Sequence, residues 1–186
     1  MGYLPGAFQS PKVSTKVSVL LEDITKLHVD AIVNPTNPNF YNGGGRTTTA
    51  AILKGAGAGL ANELTLRPRL EYGNATTTPS FELPCHYVIH TAVPAANEPG
   101  SNGTLASCYR NSLKELAGQR KDTIAFPCIG TGVQRFDHER AAHIAMAAVR
   151  EFFDNDHMNQ VKHVIFCVYS EEDKDIYQRL TLSYFA

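Results

Sequence analysis

No excess of charge marks this chain of 186 residues: 17 Lys and Arg stand against 18 Asp and Glu, a formal net charge of −1. A global field that would gather nucleic acid or an anionic bilayer is therefore missing, so nucleic acid is not the expected main partner and any phosphate must be recognised locally. Long apolar runs are missing too. They reach only a few residues, as in Val164-Ile165-Phe166-Cys167-Val168, far short of the roughly 20 that span a membrane. The start, Met1-Gly2-Tyr3-Leu4-Pro5-Gly6-Ala7-Phe8, has neither the basic residues nor the apolar core of a secretory signal, which predicts an intracellular protein, cytoplasmic or nuclear. Cysteine is scarce. The four, at 85, 108, 128 and 167, are widely spaced and mostly set in apolar segments, so they read as reduced buried thiols rather than a disulfide frame. No Cys/His pair has zinc-site spacing, and the seven histidines form no ligand set, so no metal is expected. His138, close to a glycine loop, reads as a helix surface residue. Internal repeats and low-complexity tracts are absent.

What is present is ordinary globular composition, 43% apolar and 19% charged, in a length that suits one core. Residues 1 to 14, rich in Pro, Gly and Ser, read as an N-terminal leader, and 15 to 186 as a single domain. β-Prone runs at Val17–Leu20 and Ala31–Val33 predict two strands, and short apolar runs with β-branched and aromatic residues at Tyr87–His90, Thr123–Phe126 and His163–Val168 predict three more, buried on both faces. Helical propensity or spacing marks Thr49–Leu53, Leu60–Leu66, Leu105–Leu116, Glu139–Phe153 and Glu171–Leu180, with Asp137 as the N-cap of the fourth helix. The order β-β-α-α-β-α-β-α-β-α predicts an α/β fold, a three-layer α/β/α sandwich. In such a sheet ligands sit beyond the carboxyl ends of the strands, in the loops that follow them.

Two of those loops are built for close backbone approach. After the second strand, residues 34 to 45 combine four side-chain amides with Gly43-Gly44-Gly45 just before a helix. Glycines let successive N–H groups converge on an anion, and the helix N-terminus adds partial positive charge. A flexible Asn/Gly turn without a ligand is the alternative for this segment taken alone. The strand at 123 to 126 is followed in turn by Cys128-Ile129-Gly130-Thr131-Gly132-Val133 and another helix. Neither loop ends in the Lys-Ser/Thr of a P-loop, which favours two backbone cradles gripping one diphosphate.

The order of Glu22-Asp23-Ile24-Thr25, Val29-Asp30-Ala31-Ile32-Val33-Asn34, Asn37, Gly43-Gly44-Gly45, Tyr87-Val88-Ile89-His90-Thr91, Ile124-Ala125-Phe126-Pro127 and Gly130-Thr131-Gly132-Val133 closely resembles the macrodomain family, from about residue 15 to 181. The resemblance implies a central mixed sheet and an ADP-ribose ligand, free or as mono-ADP-ribosyl on a protein. By that likeness Asp23 meets the adenine amine and the Ile24 N–H its ring, while Tyr169 forms a lid over it. Asn37 contacts the distal ribose. Gly44, Gly45, Gly130, Thr131, Gly132 and Val133 surround the diphosphate and ribose, and the Phe136 ring covers the sugar. No cofactor is implied beyond ADP-ribose as ligand.

The departures bear on catalysis. Hydrolase branches of the family commonly follow the glycines with Val-Asp-Gly-Ala-Ile-His, whose Asp helps to activate water. This chain has Arg46-Thr47-Thr48-Thr49-Ala50-Ala51-Ile52-Leu53 there, with no carboxylate from Gly43 to Gly59. A threonine hydroxyl is no general base near neutral pH without a partner for its proton. Gln134 and Arg135 also replace an aromatic and a glycine. Three readings follow: an ADP-ribose binding domain, a mono-ADP-ribosyl hydrolase in which Asn37, Thr47 and the substrate's own diphosphate hold the water, or a degenerate fold serving as an interaction surface.

Overall fold

The computed structural model describes residues 13 to 41 and 44 to 186. Most of the expected leader, and Gly43 with it, lies outside those residues. The described chain opens with a 3-10 turn at Val13–Lys16 and continues as β1 Val17–Leu21, β2 Ala31–Thr36, α1 Thr48–Ala56, α2 Ala58–Thr65, β3 Ala75–Pro79, β4 Tyr87–Ala92, α3 Ser101–Gly118, β5 Thr123–Phe126, α4 His138–Asn155, β6 His163–Val168 and α5 Glu171–Phe185. All six strands join one sheet in the order β1-β6-β5-β2-β4-β3. Every neighbouring pair is parallel except β3 with β4, so the sheet is mixed.

β3 is a correction to the sequence expectation of five strands. Its Ala-Thr-Thr-Thr-Pro run carries no apolar alternation, and only Thr78 is buried, as suits an edge strand with little core to face. The five expected strands form where predicted, extended by one residue at β1, three at β2 and two at β4.

Both faces of the sheet are covered, which is why runs such as Ala31-Ile32-Val33 and Val164-Ile165-Phe166-Cys167-Val168 are apolar without alternation. Ala31 and Val33 of β2 pack into a core with α3, α4 and α5, among Leu105, Tyr109, Ala145, Phe166 and Tyr177. Ile32, between them in sequence, faces the other way onto Ile52 of α1, Leu60 of α2 and Val88. The helices begin where caps allow. The Asp137 carboxylate accepts from the Arg140 N–H at 2.9 Å to open α4, and the Ser170 hydroxyl accepts from the Asp173 N–H at 3.1 Å to open α5.

At the amino ends of the strands Asp30 ties three segments together. Its carboxylate accepts from the N–H groups of Asp122 and Thr123, both at 3.1 Å, from the Thr123 hydroxyl at 2.9 Å and from His86 Nδ1 at 3.0 Å. Partial burial opposes its charge, but these donors outweigh that and hold its pKa at about 2. With one end of the sheet pinned, the loops at the other end are presented from a fixed frame.

Candidate functional site

Four loops leave the carboxyl ends of β1, β6, β5 and β2, strands that lie side by side in that order. The loops therefore form a row across about 14 Å, three inter-strand gaps. Going along it one meets Asp23 after β1, Tyr169 after β6, the second glycine loop after β5 and the first after β2. Sequence separation hides this row; the strand order makes it.

Asp23 and Tyr169 come together at its first end. With Leu21, Glu22 and Val168 they line a cavity of about 150 Å³. Tyr169 is 92% exposed, so its ring is free to cover a flat ligand. Asp23 caps the 3-10 turn Ile24–Lys26: one oxygen accepts from the Thr25 N–H at 2.9 Å and the Thr25 hydroxyl at 2.7 Å. The Thr25 hydroxyl bond is the main reason that its pKa is lowered, so the carboxylate is ionised near neutrality. Among the described residues its second oxygen has no partner and remains available to an N–H donor. The Cys167 thiol, donating to Glu22 O at 3.1 Å, holds this loop against β6.

In the first glycine loop the Asn37 side chain is turned onto its own segment. Its carbonyl accepts from the N–H groups of Asn39 at 3.0 Å and Tyr41 at 3.1 Å, and its amide donates to Tyr41 O. Asn37 thus acts first as a loop former, and contact with a ribose requires its amide to be shared or released. Gly44 and Gly45, at φ 68° and 75°, adopt the left-handed conformation that glycine takes without strain, with open space where a side chain would stand. Thr47, expected to hold a water, is the N-cap of α1: its hydroxyl oxygen accepts from the Ala50 N–H at 3.1 Å. Among the described residues its hydroxyl proton has no acceptor, and no carboxylate stands in this loop to make it a base.

The second loop is anchored from beneath. Gly130 has φ 93°, and a Cβ there would meet the Phe136 ring at 2.9 Å. Phe136 is only 2% exposed and joins the core, so its ring supports the loop from below and offers no face to a sugar, which corrects the sequence expectation. Phe136 N–H donates to Gly130 O at 2.9 Å, and Arg135 N–H donates to Gly132 O at 3.0 Å, closing the turn. The Thr131 hydroxyl donates to Cys128 O at 3.1 Å. Gly132 and Val133 are exposed at the crest, Val133 at 79%.

Two networks behind the row escaped the sequence reading. Thr49 donates to Asn34 Oδ1 at 2.9 Å, Asn34 Nδ2 lies 3.0 Å from His90 Nδ1, and His90 Nε2 lies 2.9 Å from the Thr78 hydroxyl. This buried chain links α1, β2, β4 and β3. Burial pushes the His90 pKa down to about 3, with Arg67 adding repulsion, so the ring is neutral. The second network joins two site loops: His138 Nδ1 donates to Asp173 Oδ1 at 2.6 Å, and the Ser170 hydroxyl donates to Asp173 Oδ2 at 2.8 Å. The Asp173 hydrogen bond raises the His138 pKa. Polar residues inside apolar strand runs, such as Asn34 and His90, were the available signal for the first network. For the second no local signal exists, since its partners are 35 residues apart.

This architecture has known counterparts. A Macro domain family model matches residues 33 to 145. Rat ADP-ribose glycohydrolase MACROD1 is 38% identical, over 98% of this chain and 73% of its own length. For mouse MACROD1 the identity is 39%, over 94% of this chain, which spans only 54% of that relative. Among solved structures, the Oceanobacillus iheyensis macrodomain with ADP superposes with a TM-score of 0.81 at 31% identity, covering 89% of each chain. The macro domain of ganglioside induced differentiation associated protein 2 reaches 0.85 at 29% identity, over 93% of this chain and 86% of that one. Matched by the family model over more than half its residues and aligned with these relatives along nearly all of them, the chain belongs to the macrodomain family.

Proposed function

We propose that this domain binds ADP-ribose, free or as the mono-ADP-ribosyl group of a modified protein, along the row of four loops. One observation carries the reading: the order of the strands sets a carboxylate and an exposed aromatic at one end of the row and two glycine loops at the other. That matches the order of adenine, diphosphate and ribose in the ligand. Asp23 accepts the adenine amine and the Ile24 N–H serves the ring. Tyr169 stacks on it. The N–H groups around Gly44, Gly45 and Gly130 to Val133 face the diphosphate and distal ribose. Similarity to a macrodomain solved with ADP supports the same direction. Calorimetric titration with ADP-ribose, with AMP as the adenine-half control, is expected to give a micromolar Kd, about −8 kcal/mol. Absence of heat at millimolar ligand would sink the reading and leave an interaction surface in its place.

A second reading is hydrolysis of the ADP-ribosyl bond, favoured by likeness to relatives described as ADP-ribose glycohydrolases. Here the chemistry lacks a carboxylate on α1, so water is held by the Asn37 amide, the Thr47 hydroxyl and the substrate's diphosphate, with the dipoles of the first loop stabilising developing charge. Release of ADP-ribose from a mono-ADP-ribosylated protein, slowed in Asn37→Ala, is the expected result; no release at high enzyme concentration dismisses it.

A further inference from the structure

Each glycine loop carries one arginine, and among the described residues neither arginine is engaged. Arg46 follows Gly45, and Arg135 closes the turn begun at Gly130; both are exposed. Among the described residues neither guanidinium has a hydrogen-bond or ion-pair partner. Arg69 and Arg120 are alike in this, whereas Arg67 and Arg110 bond to carboxylates, Arg140 to Asn102, and Arg150 and Arg179 to Asp154 and Glu139. No acidic residue occurs between Asn34 and Gly59 or between Thr123 and Phe136, so each charge stands uncompensated within its own loop.

Arg135 also has an unusual backbone, a feature it shares with Arg120 at φ 55°. The Arg135 φ of 59° lies in the left-handed region, disfavoured for a residue with a Cβ. The bonds from Arg135 N–H to Gly132 O and from Phe136 N–H to Gly130 O impose that conformation whatever side chain is attached. Glycine would fit the turn with less strain. Arg120, equally left-handed and exposed, lies at the amino end of β5 and away from the row, so what singles out Arg135 is its place at the crest of a glycine loop, with no side-chain partner among the described residues.

We propose that Arg135, seconded by Arg46 from the opposite loop, binds the phosphate oxygens of a nucleoside diphosphate ligand, so that the cleft grips by side-chain charge as well as by backbone N–H groups. The inference rests on the reading that these loops receive ADP-ribose. A guanidinium suits it, since its planar fork of donors matches phosphate oxygens and its charge does not titrate near neutrality.

The test titrates ADP-ribose and adenosine into the parent chain, Arg135→Gly, Arg135→Lys and Arg46→Gln, at about 50 and 300 mM salt, each with a thermal melt. Arg135→Gly is expected to hold its Tm or gain up to about 4 °C, yet to bind ADP-ribose about tenfold more weakly. Its affinity for adenosine stays unchanged, and its salt dependence becomes shallower than the parent's. Arg135→Lys recovers part of the loss and Arg46→Gln loses a smaller factor. Should Arg135→Gly melt lower, Arg135→Asn, whose side chain tolerates the left-handed conformation, is titrated instead and the same loss is required. Unchanged ADP-ribose affinity at position 135, or an equal loss for adenosine, overturns the proposal while leaving the ADP-ribose reading intact. Failure of the parent chain to bind ADP-ribose overturns both.

Discussion

At the scale of single residues, the useful distinction is between side chains already engaged by the fold and those left open. Asp23 is both, because one oxygen caps a turn and the other is unpartnered among the described residues. Asp23→Asn keeps an acceptor for the cap and removes the charge, so the turn persists while ADP-ribose binding weakens about tenfold, the loss of one charge-assisted hydrogen bond. Titration beside a thermal melt checks this, and unchanged affinity would take Asp23 out of the site. Tyr169→Ala is expected to cost about fivefold, the equivalent of roughly 1 kcal/mol of stacking. The family resemblance pointed to both residues, and their place just past two neighbouring strands brings them to one cavity. The burial of Phe136 was not legible: nothing in Val133-Gln134-Arg135-Phe136 reveals that its ring turns under Gly130, since burial of a loop aromatic depends on what lies beneath it. Asn37 and Thr47 show the same limit, with side chains suited to a ligand bound first to their own backbone.

At the scale of elements, α1 depends on two threonines with different duties. Thr47 caps its first turn, and Thr49 enters the buried chain through Asn34 to His90. Thr47→Ala is expected to destabilise by about 1 kcal/mol, a Tm drop of about 2–4 °C in a domain of this size. If its role is capping alone, ADP-ribose affinity measured well below that Tm stays as it was. Gly130→Ala is more severe: the added Cβ meets the Phe136 ring and the backbone is left-handed, so both Tm and ADP-ribose affinity fall. Five strands and five helices were readable from apolar runs and helical spacing because both sheet faces are covered. β3 was not, for an edge strand of threonines shows neither period nor burial to a reader of sequence.

At the scale of the whole molecule, acid acts on both ends of the sheet. A histidine whose folded pKa lies below its unfolded one takes up its proton in the unfolded chain first. Between the ordinary 6.5 and about 3, His90 therefore draws the equilibrium toward unfolding as the pH drops. Asp30 adds a second loss, below its ordinary 3.8 and down to about 2, where the unfolded carboxyl is protonated before the folded one. His138 works in the opposite sense: with its pKa raised, its contribution is full below 6.5 and fades as pH rises through the raised value. The Tm should fall progressively from pH 6.5 to 4, and Asp30→Asn should make the further drop below pH 3.8 shallower, leaving what His90 and Asp23 contribute there. A profile flat from 6.5 to 4 would show that His90 is not held neutral by its surroundings. The single antiparallel pairing at β3 has one more consequence. Its outer side ends in Pro79, which has no N–H to offer, and the strand is only five residues long. It is a poor template for a seventh strand, so this sheet resists growing edge to edge into aggregates on that side.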